Sequence, residues 1–390
     1  IFLVYKMIRR RALVTFILLG LTSLTADMVY EGARSVGGAY IESLGGSPIA
    51  SAIVSSGDLI GYGLRFLSGL LASMYLSSQV LWGLTIAGYV LTTATLPLLA
   101  FSGTWQIATL LYLLERVGKG LRTPARDVIL AEVTESIGRG KGFGLHELMD
   151  QSGAVLGPLI VAILLALHGY SAAFLSLLIP GILSIIFVVS ANKLYSEIES
   201  IRIASPKISF RGLGQRFWIY TVAMILFSLG YVHWMIISYY LRYMNIVSDP
   251  EIALAYLVAM LTDAVVAYPI GYVYDKIKYN SLYIAPLSAL LSLALLVSSK
   301  SSLHVYYASA LWGVAMGCYE TIMRASIADL VEPSKRALAY GVFGLLFGIS
   351  WTIGAFIFSI IIWSSAIVLL YVSVLQITSV ILVTYLSRIR

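Results

Sequence analysis

Asp27, Glu31 and Arg34 recur at i, i+4 and i+7 within an otherwise apolar stretch. On a helix this spacing turns all three toward one side. Ionisable side chains inside a bilayer are costly, and they face a cavity or one another. Burial and a neighbouring opposite charge act on the proton affinity of a carboxyl group in opposite senses. A carboxylate balanced between them exchanges a proton near neutrality, and Asp27 and Glu31 beside Arg34 are candidates for that chemistry. A closed salt bridge of Arg34 with one acid is the structural alternative. It accounts for one acid and leaves the other without that partner.

Further charges extend the pattern. Asp58 and Arg65 are seven residues apart and share a helical face, and Glu147 and Asp150 are three apart. The run Glu115-Arg116-x2-Lys119-Gly120-x-Arg122-x-Pro124-x-Arg126-Asp127 places Glu115, Lys119, Arg122 and Arg126 on one stripe. Arg122 and Arg126 read as snorkelling anchors near the headgroups, whereas Glu115 and Arg116 lie deeper and are candidates for function. The later part of the chain offers Asp263, Glu320 and Arg324, the last two at the spacing of an intrahelical ion pair. Within or close to the membrane, eight acids (Asp27, Glu31, Asp58, Glu115, Glu147, Asp150, Asp263, Glu320) face five bases (Arg34, Arg65, Arg116, Lys119, Arg324). That excess favours a cationic or amphipathic organic ligand. Tyr30, and on a later span Tyr231, His233, Trp234, Tyr239 and Tyr240, are aromatic candidates for cavity walls; packing or an interfacial belt is their plainer role.

The elements that must position these residues follow from composition. Of 390 residues, 59% are hydrophobic and 12% charged, and the mean hydropathy is +0.90. A soluble chain carries about 25% charged residues. With half that charge, this chain needs an apolar solvent, which a bilayer supplies. The composition also excludes disorder. A single cysteine, Cys318, excludes a disulfide framework and a cysteine metal cluster. The net charge of +7 is scattered between apolar segments, which speaks for membrane topology and against a nucleic-acid face. No cleavable signal is expected, and Met7 is a candidate start.

Apolar stretches of about 20 residues cross a bilayer. Spans are expected at roughly 12–41, 47–73, 79–100, 104–124, 141–167, 171–191, 214–243, 252–274, 281–299, 303–328, 338–362 and 365–386. This makes an all-α polytopic membrane protein of twelve transmembrane helices. Lys and Arg cluster on the side that holds both ends (Arg9, Arg10, Arg11, Arg122, Arg126, Lys193, Arg202, Lys276, Arg336, Arg388), and the opposite loops offer Arg242 and Lys300. Both termini are therefore expected in the cytoplasm. Shifting the chain by 197 places Gly120 on Gly317, Glu132 on Asp329, Arg139 on Arg336, Gly144 on Gly341 and Gly157 on Gly354. The expected division is a six-helix bundle over 1–191, a cytoplasmic linker over 192–213 and a second six-helix bundle over 214–390.

Catalytic signatures are missing. No P-loop pattern occurs, and His146-Glu147 has Asp150 where a zincin would need its second His. The glycines at 138, 140, 142 and 144 precede a membrane span, so they are no dinucleotide fingerprint. An enzyme is not expected, nor a cofactor, nor a resident metal.

Two six-span halves joined by a basic linker resemble the major facilitator superfamily. Gly144, Gly153, Gly157 and Pro158 form G-x8-G-x3-G-P, which is similar to motif C of its twelve-span drug:proton antiporter branch, with Val161 and Ala162 in place of the following Gly pair. Glycines permit close helix approach, and Pro158 removes a backbone hydrogen bond. Arg116, Gly120 and Pro124 resemble motif B, whose arginine is implicated in proton coupling. Motif A is degenerate in its first copy, with Ser73 and Tyr75 after Gly69. The second copy retains Gly271, Asp275 and Lys276, with Lys278 for the later Gly. The resemblance implies that Asp275, with Arg336 nearby, holds a cytoplasmic gate.

The resemblance thus implies a proton-coupled transporter of the plasma membrane working by alternating access, and a monomer. It would export cationic or amphipathic small organic molecules in exchange for protons. Asp27, Glu31, Arg34 and Arg116 would carry the coupling. Tyr30, Asp58, Glu115, Asp150, His233, Tyr239, Asp263 and Glu320 would line a cavity between the halves. Uptake of a metabolite or a metal cation on the same fold is the alternative, and a transition metal fits it less well for want of Cys or His beside the span 1 acids.

Overall fold

A computed structural model describes residues 2–74, 77–135, 138–198 and 213–389. Tyr75 and most of the basic linker lie outside the described residues. All the described regular elements are helical. They are α1 (Phe2–Ser35), α2 (Gly37–Ser43), α3 (Pro48–Ser55), α4 (Gly57–Met74), α5 (Ser78–Thr95), α6 (Trp105–Val133), α7 (Arg139–Ser176) and α8 (Leu178–Leu194). After the linker come α9 (Gly214–Gly230), α10 (Trp234–Tyr243), α11 (Asp249–Ile277), α12 (Ile284–Val297), α13 (Ser302–Cys318), α14 (Arg324–Leu330), α15 (Arg336–Ile361) and α16 (Ser365–Arg388).

Seven helical stretches among the described residues are long and apolar enough to cross a membrane. Two of them, Lys141–Leu194 with 54 residues and Asp249–Val297 with 49, far exceed one crossing. The first is interrupted at Gly169, whose φ of 77° no helix accommodates, and the second at the 3-10 turn Lys278–Tyr283. Three expected spans are absent from this set, for a physical reason in each case. Helix α6 carries too many charges, the 47–73 stretch divides into α3 and α4, and a π-helical turn at Tyr319–Met323 separates α13 from α14.

The chain forms two compact units. One combines the start of the chain up to Ser35 with Ile60–Ser205; the other combines Val36–Leu59 with the chain from Pro206 onward. The expected boundary near 191 therefore needs one correction. Segment 36–59, the end of span 1 and the beginning of span 2, packs within the second unit. Its reason is the break after Ser35, which frees α2 and α3 to bond there: Gly38 N–H donates to Ser238 Oγ at 3.0 Å and Tyr239 hydroxyl to the Gly46 carbonyl at 3.0 Å. Arg242 binds Glu42 at 2.6 Å and also pairs with Asp249.

In the first unit α1 packs along α7 and α8, and α5 along α6. Glycine sets the α1–α7 distance: a Cβ on Gly157 would run into the Met28 carbonyl, and one on Gly153 into that of Leu24. In the second unit Gly354 of α15 meets the Leu229 carbonyl of α9 in the same way. Gly120 and Gly317 likewise meet α4 and α11. The 197-residue repeat is thus a repeat of packing contacts.

Between α9 and α10 the helix breaks at Tyr231–His233 and exposes carbonyl groups that lipid or protein must satisfy. Trp351 Nε1 donates to the Tyr231 carbonyl at 2.7 Å and Trp312 Nε1 to that of Val232 at 2.8 Å. The Tyr231 ring stacks on both indoles, so the aromatic residues of this unit form a core around a broken helix. Outward faces carry Leu167, Ile179, Ile360 and Leu370, each exposed and apolar, as a lipid-facing surface requires.

Gly157→Val and Gly354→Val should each lower the thermal unfolding midpoint of the purified protein by an overpacking cost of about 1–3 kcal/mol. Gly144→Ala, whose added Cβ meets no atom within 4 Å, should not lower it. Thermal unfolding in detergent checks the contrast between glycines of one motif.

Candidate functional site

Helices α1, α6 and α7 bring the charges of the first unit together. Asp27 and Glu31 are buried, at 5% and 7% exposed. The Tyr30 hydroxyl hydrogen-bonds the Asp27 carboxylate, and the charges acting on that carboxylate are those of Asp150, Lys119 and Arg122. Glu31 faces Arg34 at 3.7 Å. Glu115 holds Arg116 at 2.8 Å.

Ten residues further along α6, Arg126 binds Asp127 at 2.8 Å and approaches Asp150 at 4.0 Å. His146 Nε2 lies 3.8 Å from Asp150. Ser23 of α1 joins this cluster: its hydroxyl is 3.0 Å from Tyr89 Oη, 3.1 Å from His146 Nε2 and 3.3 Å from Arg126 Nη1.

The Tyr30 ring is surrounded by cations. Lys119 Nζ lies 4.1 Å from its centroid, Arg116 Cζ 5.8 Å and Arg122 Cζ 5.9 Å. Arg122 also lies over the Tyr89 ring at 4.3 Å. Such contacts favour a cation over an aromatic face but are weaker than an ion pair.

Several expected placements change. Arg122 and Arg126 are not snorkelling anchors; Arg122 is 1% exposed, and Arg126 is engaged with α1 and α7. The cause is helix proximity, since a Cβ on Gly88 would lie 2.6 Å from the Gly118 carbonyl and 2.5 Å from Arg122 Cβ. Glycine on both α5 and α6 lets the helices close over the arginine. Glu147 and Arg324 are exposed; with them set aside and these two arginines added, six bases stand against seven acids, and the excess that favoured a cationic ligand nearly vanishes.

Asp58 and Arg65 do not act as a pair. Asp58 binds His233 Nε2 at 3.1 Å in the second unit, and Arg65 lies over the Tyr62 ring at 5.3 Å in the first. Tyr239 is committed to the Gly46 carbonyl. Asp263 is buried beside Gly317, and Glu320 sits in the π-helical turn. At the far end of α11, Asp275 is exposed, Lys276 lies over Tyr272 at 4.4 Å, and Arg336 donates to the Ala328 carbonyl at 3.2 Å. The carboxylate held at this end is Asp329, by Tyr274 at 3.0 Å and Lys278 at 3.2 Å, instead of Asp275 by Arg336.

Ser23, Tyr89, Lys119, Arg122, Arg126 and His146 belong to the first-unit cluster without having been singled out for function. The stripe on α6 carried the signal for its three cations. Nothing in the spacing marks Ser23 or Tyr89. Among the described residues no group of three or more His, Cys, Asp and Glu is arranged to hold a metal ion.

Apolar outward faces, broken helices with satisfied carbonyls and a charge cluster in the interior together define a polytopic membrane protein of transporter type. The sequence model of the Major Facilitator Superfamily matches residues 12–246 and 219–389. The chain belongs to that superfamily, and it is a transporter, not an enzyme. An uncharacterised protein of Mycobacterium tuberculosis is 34% identical over 333 residues, covering 83% of this chain and 80% of its own. An uncharacterised MFS-type transporter of Methanocaldococcus jannaschii is 28% identical over 391 residues, covering 95% and 94%. Among solved structures, the nucleoside transporter NupG superposes with a TM-score of 0.75 at 15% identity, over 94% of this chain and 99% of that one. A peptide transporter, POT, in complex with sulfate superposes with a TM-score of 0.76 at 14% identity, over 95% and 93%. These structures share the fold.

Arg126 anchors Asp127, Asp150 and Ser23 at once. These pairs are partly buried, so losing Arg126 costs less than breaking a fully buried ion pair, about 3–5 kcal/mol, but more than losing an exposed cation. Arg126→Gln should therefore lower the unfolding midpoint well below that of Lys141→Gln, an exposed cation at the start of α7. Equal midpoints for the two variants would show that the cluster adds nothing to stability.

Proposed function

We propose that the protein is a proton-coupled secondary transporter working by alternating access, with Asp27 as the proton carrier and Asp150 as the acid coupled to it. The observation that supports this reading is a buried carboxylate with one tyrosine hydrogen bond, near a second acid and two cations that have no carboxylate within ion-pair distance among the described residues. Neighbouring carboxyl groups take up protons as a pair. Glu31 has Arg34 within 3.7 Å, so it serves to set the local field more than to carry the proton. Arg116, held by Glu115, acts in the same way.

The glycine contacts of Gly153 and Gly157 with α1 support a close, sliding α1–α7 interface around Pro158. Gly271, Asp275, Lys276 and Arg336 are candidates for a gate at the cytoplasmic end. Twelve crossings, cytoplasmic termini, a plasma-membrane location and a monomer complete the reading, on the distribution of Lys and Arg and the even span count.

A cationic substrate rests on the excess of buried acids, and the burial of Arg122 and Arg126 removes most of that support. The sense of coupling follows the sign of the substrate. A cation competes with the proton at an acidic centre and gives antiport, whereas an anion binds together with it and gives symport.

In proteoliposomes, Asp27→Asn should abolish substrate flux driven by a proton gradient while the protein remains folded. Glu31→Gln should reduce that flux and leave it proton-driven. Flux with a pH-sensitive dye inside the vesicles checks both, and parental coupling in Asp27→Asn would remove Asp27 from the carrier role.

A further inference from the structure

Five acids and five bases meet in the first-unit cluster: Asp27, Glu31, Glu115, Asp127 and Asp150, with Arg34, Arg116, Lys119, Arg122 and Arg126. Three of the bases have a carboxylate within ion-pair distance: Arg34 has Glu31, Arg116 has Glu115, and Arg126 has Asp127 and Asp150. Lys119 and Arg122 have none among the described residues. They lie three residues apart on α6, near the face of one ring, that of Tyr30. Arg122 is 1% exposed, and its Nε and Nη2 are buried with no hydrogen-bond partner.

A buried guanidinium with unmade hydrogen bonds is costly, because its donors were solvated in the unfolded chain and are not replaced. A fold that keeps such a group needs a compensating charge; the charge of Glu31 acts on Lys119, and that of Asp27 acts on both cations. Asp27 is one carboxylate, already hydrogen-bonded by Tyr30, and it faces two cations. With all five acids ionised the cluster is neutral. When a proton binds the Asp27–Asp150 pair, one O–H bond forms, one negative charge is lost and the cluster carries a single excess positive charge. One anionic group restores neutrality, and Lys119 with Arg122 supplies the donors: a free ammonium and a planar fork that suits carboxylate and phosphate oxygens.

Resting on the proton-carrier reading above, we infer that Lys119 and Arg122 beside Tyr30 bind an anionic group of the transported substrate, a carboxylate or a phosphoryl-type oxyanion. The substrate class is then an organic anion, and it travels with the proton, because each neutralises the charge that the other brings. Tyr30 is the positioning residue: its hydroxyl holds Asp27 while its ring faces both cations, so proton and anion sites share one side chain.

The test uses the full chain in lipid nanodiscs and four probes on one benzene ring: benzoate, phenylphosphonate, benzyl alcohol and benzylamine. Binding is read by calorimetry and proton uptake by a pH-sensitive dye. Benzoate or phenylphosphonate should bind with proton uptake, and the stronger of the two identifies the oxyanion; benzyl alcohol and benzylamine should not bind. Lys119→Met should weaken anion binding roughly tenfold to a hundredfold, and Lys119→Arg, which keeps the charge, should restore most of it. Unliganded unfolding midpoints of both variants separate lost binding from lost folding. Tighter binding of benzylamine, no binding of any probe, or undiminished anion binding in a folded Lys119→Met would each overturn the site. The two readings fail separately. Anion binding that needs Lys119, with proton uptake unchanged in Asp27→Asn, keeps the anion site and removes the carrier. Loss of proton-driven flux in Asp27→Asn, with anions binding no better than benzyl alcohol, keeps the carrier and removes the anion site.

Discussion

The energetic constraint behind the first unit is compensation of charge away from water. Ionised groups survive inside a protein only when partners and hydrogen bonds replace their hydration. Here α1 supplies Asp27 and Glu31, α6 the cations, and α7 Asp150 and His146. None of these helices could hold its charges alone. Their close approach is therefore a requirement, and glycine provides it: Gly153 and Gly157 between α7 and α1, Gly88 and Gly118 between α5 and α6. The motif glycines and the buried charges are two parts of one device.

The second unit meets a different constraint with different chemistry. Its break at Tyr231–His233 frees backbone carbonyls, and tryptophan indoles donate to them. Large rings then fill the space that a continuous helix would have closed. The result is a unit with few buried charges and many stacked aromatics, in which Asp58 finds His233. Although the packing contacts repeat at 197 residues, the chemistry does not. Buried charges gather in the first unit and stacked aromatic rings in the second.

Much of this was legible in the residues. The i, i+4, i+7 spacing of Asp27, Glu31 and Arg34 marked the centre of the site, and the stripe from Glu115 to Arg126 marked the helix that faces it. Burial depth was not legible. Arg122 and Arg126 sit near the end of an expected span, where snorkelling is the ordinary fate of arginine; only the contact of α5 with α6 shows that protein, not headgroups, surrounds Arg122. Pairing across elements was equally hidden. Asp58 and Arg65 share a face by spacing, yet a break in the chain assigns Asp58 to His233, 175 residues away. Near Asp275 the carboxylate that Tyr274 and Lys278 bind is Asp329, more than fifty residues further along the chain, a pairing that spacing does not report.

By itself the sequence determined the solvent, the helical class, the repeat and which residue types enter the membrane, because hydropathy and periodicity are local properties that survive any arrangement of helices. Tertiary structure alone decided which charges are compensated. Ion pairing depends on a few ångströms between side chains of different helices, and those distances come from glycine contacts and helix breaks that no spacing rule reports. It is this decision that leaves Lys119 and Arg122 without a carboxylate at ion-pair distance among the described residues, and that turns an apparent excess of acid into a near balance of charge.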